Sequence, residues 1–298
     1  MRRLTALILL LLLTACSAAA PAAEEPPQVN GDMLAMVAQS PLPQTEEEVC
    51  LRYQLEKTVS EDAAESEDGI RLAGYRFDLP MLQVVREDGT VVETPEHPEE
   101  EEYMAVAAAF NEHFGKWAAA EEFDAMVEAA QMDLDFCREE GMDWFNGYEL
   151  ELVTSVYQTE HLISVAGSYC SYTGGAHPNT WQLGWNFDLE TGTFFGPEGL
   201  AADSAAFQEV IHQELIRQAK LTALENGMAP EEFFWEDYEE ILANWSSYAV
   251  FFDDEGMTVV FSPYELACYA AGTQVFFVTY DWLRPHLSEY GCTVLELE

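Results

Sequence analysis

From Trp181 to Leu189 an apolar side chain recurs at every second residue: Trp181, Leu183, Trp185, Phe187 and Leu189, with Gln182, Gly184, Asn186 and Asp188 between them. Successive side chains of an extended chain point to opposite faces, so the stretch is a strand with one face towards a core. A strand of this kind needs neighbours, and the chain supplies them. Tyr75, Phe77 and Leu79 alternate with Arg76 and Asp78, and "CLRYQLEKTV" from Cys50 alternates well enough for a strand. An acidic loop, "SEDAAESEDG", separates the two, and Pro80 is expected to end regular pairing because it lacks an N–H. Residues 148–172 form two alternating runs about a turn near Thr159–Glu160, and residues 248–261 form a second hairpin through Asp253–Gly256.

Helical spacing occupies the gaps. Tyr103, Val106, Phe110, Phe114 and Trp117 recur at three or four residues, predicting a helix over 101–139 with Gly115 as a bend or break and Gly141 as its stop. A second helix follows an N-cap at Asp203 or Ser204 and ends before Gly227, and a third opens at Pro230. A last strand and a short helix occupy residues 272–287. Strands in hairpins and helices in pairs define an α+β class: largely antiparallel sheets packed by helices, in two closely associated halves, 49–168 and 169–298.

The first residues constrain location. Arg2 and Arg3 precede a short apolar run, Leu4 to Leu13, too short to span a bilayer and typical of an export signal. Leu13-Thr14-Ala15-Cys16 looks like a bacterial lipobox, which makes residues 1–15 the signal peptide and Cys16 the acylated first residue of an exported, membrane-anchored protein. Residues 16–48, rich in Ala, Pro and Glu, read as a flexible tether. Without Arg2 and Arg3, 10 basic residues face 55 acidic ones, a formal charge of −45. That balance with 49% apolar residues describes a folded domain with an acidic surface. It excludes nucleic acid as a partner and favours cationic ones, although solubility alone also accounts for it. Five cysteines remain after Cys16, an odd number with no C-x-x-C, so no zinc ribbon or redox motif is expected.

One loop invites a chemical reading. "YTGGAHPN", Tyr172 to Asn179, places Tyr172, Thr173, Gly174, Gly175, His177 and Asn179 in a turn. Paired glycines accept positive φ and Pro178 fixes the next φ, so a structural turn is one reading and a binding loop another. A catalytic role for His177 would require a nucleophile, acid or metal beside it, with Tyr172, Thr173, Asp188 and Glu265 as the available partners. No G-x-S-x-G, H-E-x-x-H, S-x-x-K or P-loop is present, so no catalytic residue, metal or cofactor is assigned. Tyr264 and Tyr269, flanking "ELACYAAG", are expected to support the loop by closing a core against Trp181 and Trp185.

These motifs together carry a resemblance. "YTGGAHPN", the "FDLETG" strand end at Phe187–Gly192 and "FSPYELACYAAG" at Phe261–Gly272 resemble the RsiV C-terminal-domain-like family of bacterial extracellular domains (domain of unknown function 3298). The half upstream of Ser168 resembles the companion that usually precedes it, domain of unknown function 4163. The family includes the ectodomain of an anti-sigma factor that captures lysozyme, and a domain that accompanies a peptidoglycan deacetylase. With the lipobox, the charge and the lack of catalytic motifs, the resemblance points to a non-enzymatic, ligand-binding lipoprotein at the cell envelope, expected to be a monomer. Its partner would be a cationic protein such as lysozyme, or a cell-wall glycan. The alternative is a cell-wall-modifying hydrolase or transferase using His177.

Overall fold

The computed structural model describes residues 50–118 and 123–297, so the expected signal peptide, Cys16 and the tether lie outside the described residues. Six strands form one sheet in sequence order: β1 (Leu51–Glu65), β2 (Arg71–Arg86), β3 (Tyr148–Gln158), β4 (Leu162–Tyr172), β5 (Asn179–Asp188) and β6 (Thr193–Phe195). Four of the five pairings are antiparallel. β2 and β3 run parallel over Ala73–Phe77, because α1 (Pro98–Ala118) and α2 (Phe123–Glu139) return the chain to the end from which β2 started. The class is α+β with largely antiparallel sheets packed by helices. Residue 168, where two halves are expected to meet, lies inside β4.

Two local expectations are corrected. The acidic segment expected as a loop is mostly strand: β1 continues through Ser60–Glu65, and the turn is confined to residues 66–70. β1 is the sheet's edge, largely exposed, so no burial pattern marks its second half. Nor does Pro80 end pairing, since β2 passes through it opposite Lys57. Past Phe77 β2 no longer pairs with β3, so the missing N–H affects one neighbour instead of two. The helix expected over 101–139 is two helices, with Gly115 inside the first.

The second sheet is β7 (Ala249–Phe252), β8 (Gly256–Phe261) and β9 (Gln274–Thr279), antiparallel throughout. Against it packs α3 (Ser204–Glu225), capped by Asp203, whose Oδ1 accepts from the Ala206 N–H at 3.0 Å. Phe207, Ile211, Leu215, Ala219 and Ala223 put a buried residue on the same face at every turn. A polar seam joins the two sheets. Asn186 Nδ2 donates to the Val250 carbonyl at 3.0 Å, and Ser164 Oγ donates to Asn186 Oδ1 at 2.8 Å while accepting from the Phe252 N–H at 2.7 Å. Gly184 lets β7 approach, since a Cβ there would stand 2.4 Å from the Val250 oxygen. The seam ties the second half of β5 to β7, and nearer the start of β5 the Gln182 N–H donates to Ser262 Oγ, in the loop between β8 and β9, at 2.9 Å.

Candidate functional site

β4 and β5 pair as far as Ser171 and Asn179, and the chain between them must reverse in seven residues. Gly174 and Gly175 do this with φ of +90° and +93°, where L side chains are strained. Tyr172 closes the turn, its hydroxyl donating to the Gly175 carbonyl at 3.1 Å. His177 Nδ1 lies 2.9 Å from the Pro178 carbonyl, an acceptor, so that nitrogen carries the proton and donates. Thr173 is exposed and lines a cleft of about 500 Å3 with Met126, Tyr148 and Tyr169. Asn179 is exposed and opens β5.

One face of His177 is covered by a ring from far along the chain. Tyr269 stacks on it with centroids 3.8 Å apart and planes 15° apart, and Tyr264 packs on Tyr269 with its ring tilted, at 5.5 Å and 34°. The loop that carries both tyrosines is well fixed. Ser262, buried, accepts from the Gln182 N–H of β5 at 2.9 Å, and Glu265 accepts from the Ser262 N–H. The Tyr264 carbonyl accepts from Trp235 Nε1 at 3.0 Å, and Phe234 bridges to Ala267. Tyr264 itself sits at φ +75° and is 53% exposed. A bulky residue in the left-handed region costs free energy that the surrounding bonds must hold against.

The two tyrosines therefore do not close a core against Trp181 and Trp185, as the sequence suggested. Trp185 packs with His113, Phe114 and Trp117 beneath α1, and Trp181, 42% exposed, stacks on Tyr169. Nor is Asp188 a partner for His177. It ends the strand that begins beside His177, and the ten residues of β5 separate the two by about 30 Å. Buried Asp188 instead accepts from the Glu190 and Thr191 N–H groups and from the Tyr290 hydroxyl, which explains the "FDLETG" motif as a capped turn. Glu265 lies in the tyrosine loop. With Asp237 it adds to burial in raising the Tyr248 phenol above its ordinary range.

Two neighbouring features escaped the sequence reading. Tyr148 donates to Asp133 across the base of the β4–β5 turn, and burial followed by that bond pushes its phenol up to about 12. Across β1–β3 a larger cleft of about 730 Å3 holds Arg71, Arg76 and Cys170. Glu149 grips Arg71 through two bonds and Glu61 pairs with Arg76, and Asp62 and Glu151 also line the cleft, so acids outnumber bases and it offers no cradle to an anion.

The geometry is that of an α+β domain presenting a stacked His–Tyr–Tyr surface where two loops meet. Residues 193–281 match the DUF3298 domain family, described as a protein of unknown function. That domain contains Tyr264 and Tyr269, while His177 comes from the hairpin before it. The chain is similar in fold to a DUF3298 family member from Bacteroides fragilis, at 15% identity and TM-score 0.54 over 84% of this chain and 98% of that one. A DUF3298 family protein from Pseudomonas aeruginosa matches at 17% identity and TM-score 0.45 over 80% of this chain and 96% of that one. No curated protein matches the chain.

Proposed function

We propose that this chain is a non-enzymatic binding protein of the cell envelope: exported, acylated at Cys16, held to the membrane through residues 17–48, and presenting the stacked surface to a cationic protein. The observation that carries the reading is the His177–Tyr269–Tyr264 stack. Two loops converge to build it, and a strained backbone keeps its outermost ring exposed. Strain of this sort clusters at functional positions. Tyrosine is enriched among residues that dominate protein interfaces, and the face of a phenol ring attracts Lys and Arg. A chain with 55 acidic residues raises the local concentration of basic partners. His177 has its Nδ1 held by Pro178 and one ring face covered by Tyr269, which suits a positioned platform better than a general base.

Lysozyme is the cationic protein to try first, given the family resemblance. The full chain is titrated with lysozyme and with an unrelated protein of similar basicity, at low and physiological salt. Saturable binding to lysozyme alone that survives the higher salt is expected. Binding of both proteins that disappears as salt screens the charges would reduce the surface to a solubility device. Peptidoglycan turnover by the chain, lost in His177→Ala, would replace this reading with the hydrolase one.

A further inference from the structure

Between Met132 and Trp144 the surface carries large apolar side chains that no described part of the fold covers. α2 buries Phe123, Met126, Ala130 and Leu134 against the sheet. Its outer side carries Met132 and Phe136, neighbours one turn apart that are 68% and 55% exposed. The chain then turns at Gly141, and the Met142 N–H donates to the Cys137 carbonyl at 2.8 Å. That bond folds Met142 back on the last turn of α2, and Trp144, two residues further on, is 67% exposed. Contiguous exposed apolar surface on a soluble domain marks a place where something docks.

The same stretch states the sign of its partner. Along the sequence from Met132 to Trp144, Asp133, Asp135, Glu139, Glu140 and Asp143 are interspersed with the apolar residues, with Arg138 the one base among them. The Arg138 guanidinium is already held by both Asp68 oxygens at 2.7 Å and by Asp135 at 3.1 Å. An exposed apolar stretch so rich in carboxylates repels an acidic partner and an anionic membrane. It complements an apolar stripe flanked by Lys and Arg. The residue types fit as well: flexible methionines adapt to varied side chains, and Phe and Trp provide large anchors. We propose that the outer face of α2 and the 141–144 turn dock a cationic amphipathic helix. The proposal rests on the function proposed above only for the sign of the partner's charge. It assigns a second contact, separable from the aromatic stack.

The test uses the full chain and a labelled synthetic helix with Leu on one face and Lys on the other. A Lys/Ser helix of equal charge and zwitterionic phosphatidylcholine vesicles are the comparisons. At physiological salt the Leu/Lys helix is expected to bind saturably, about tenfold or more tighter than the Lys/Ser helix. Met132→Ser with Phe136→Ser, or Trp144→Ser alone, should each weaken that binding by about tenfold, with the urea midpoint of unfolding unchanged. Tyr264→Ala with Tyr269→Ala should leave it unaltered. Equal binding of the two helices, or undiminished binding by the folded Ser variants, overturns the proposal. So does vesicle binding that the Ser variants abolish while the Leu/Lys helix fails to bind. Lysozyme binding that survives in the Ser variants while helix binding is absent would sink this inference and leave the function proposed above standing.

Discussion

Asn186 Nδ2 donates to the carbonyl of Val250, and this one bond crosses from the six-stranded sheet to the three-stranded one. Its neighbour Ser164 accepts from the Phe252 N–H and donates to Asn186, so one hydroxyl satisfies two buried groups. Removing a partner of a buried polar group leaves the other to bear its desolvation. Ser164→Ala is expected to lower stability by about 1–3 kcal/mol, read as a drop in urea midpoint at unchanged m-value. An unchanged midpoint would mean that the seam contributes nothing net.

Gly184 tests the same seam sterically. A Cβ there stands 2.4 Å from the Val250 oxygen and 2.6 Å from its nitrogen, and backbone cannot move aside as a side chain can. Gly184→Ala should destabilise by about 1–3 kcal/mol or more, as overpacking does. Thermal unfolding of the purified variant checks this.

The first of these elements was plain in the sequence. Unbroken alternation from Trp181 places β5, the Asp203 cap opens α3, and two consecutive glycines announce positive φ. The pairing partners were not plain. A period of two states which face of a strand is buried but not which strand lies beside it, so the parallel β2–β3 pair left no mark. β1 continues through "SEDAAE" because an exposed edge strand needs no apolar pattern. The stack of His177 on Tyr269 joins two loops remote in sequence, each of which reads locally as a turn. The sequence brought both motifs to notice, yet assigned the tyrosines to the tryptophans of β5. It passed over Met132 and Phe136, because exposed apolar residues on a half-buried helix look like members of its core stripe, and Trp144, which follows the helix in a segment with no periodicity.

Glu100 gives a pH signature. Its buried carboxylate takes a bond from Arg86 at 2.7 Å and another from the Glu96 N–H at 2.7 Å, and these hold its pKa down to about 2. In the unfolded chain a glutamate titrates near about 4.3. A carboxylate depressed on folding stabilises fully above the unfolded value and loses that contribution as pH falls towards the folded one. The stability gap between wild type and Glu100→Gln should therefore be constant near neutrality and shrink between about pH 4.3 and 2. Urea midpoints across that range measure it, and a gap that does not move with pH would contradict the assignment.

Tyr264 separates strain from contact. At φ +75° glycine is at ease and alanine is not. Tyr264→Gly should be more stable than Tyr264→Ala by about 1 kcal/mol, the left-handed penalty less the added freedom of glycine in the unfolded chain. Comparing the two variants by thermal unfolding isolates the backbone cost that the protein bears to hold the ring outward. Equal stabilities would show that the loop relaxes and stores no strain.

The central claim is that the His177–Tyr269–Tyr264 surface binds a cationic protein. Its most direct test is calorimetric titration of lysozyme, at physiological salt, into the full chain and into Tyr264→Gly combined with Tyr269→Ala. The wild type is expected to bind saturably, and the double variant, still folded, to bind at least about tenfold more weakly. Equal affinity for the two proteins, or no saturable heat with wild type, would contradict the claim.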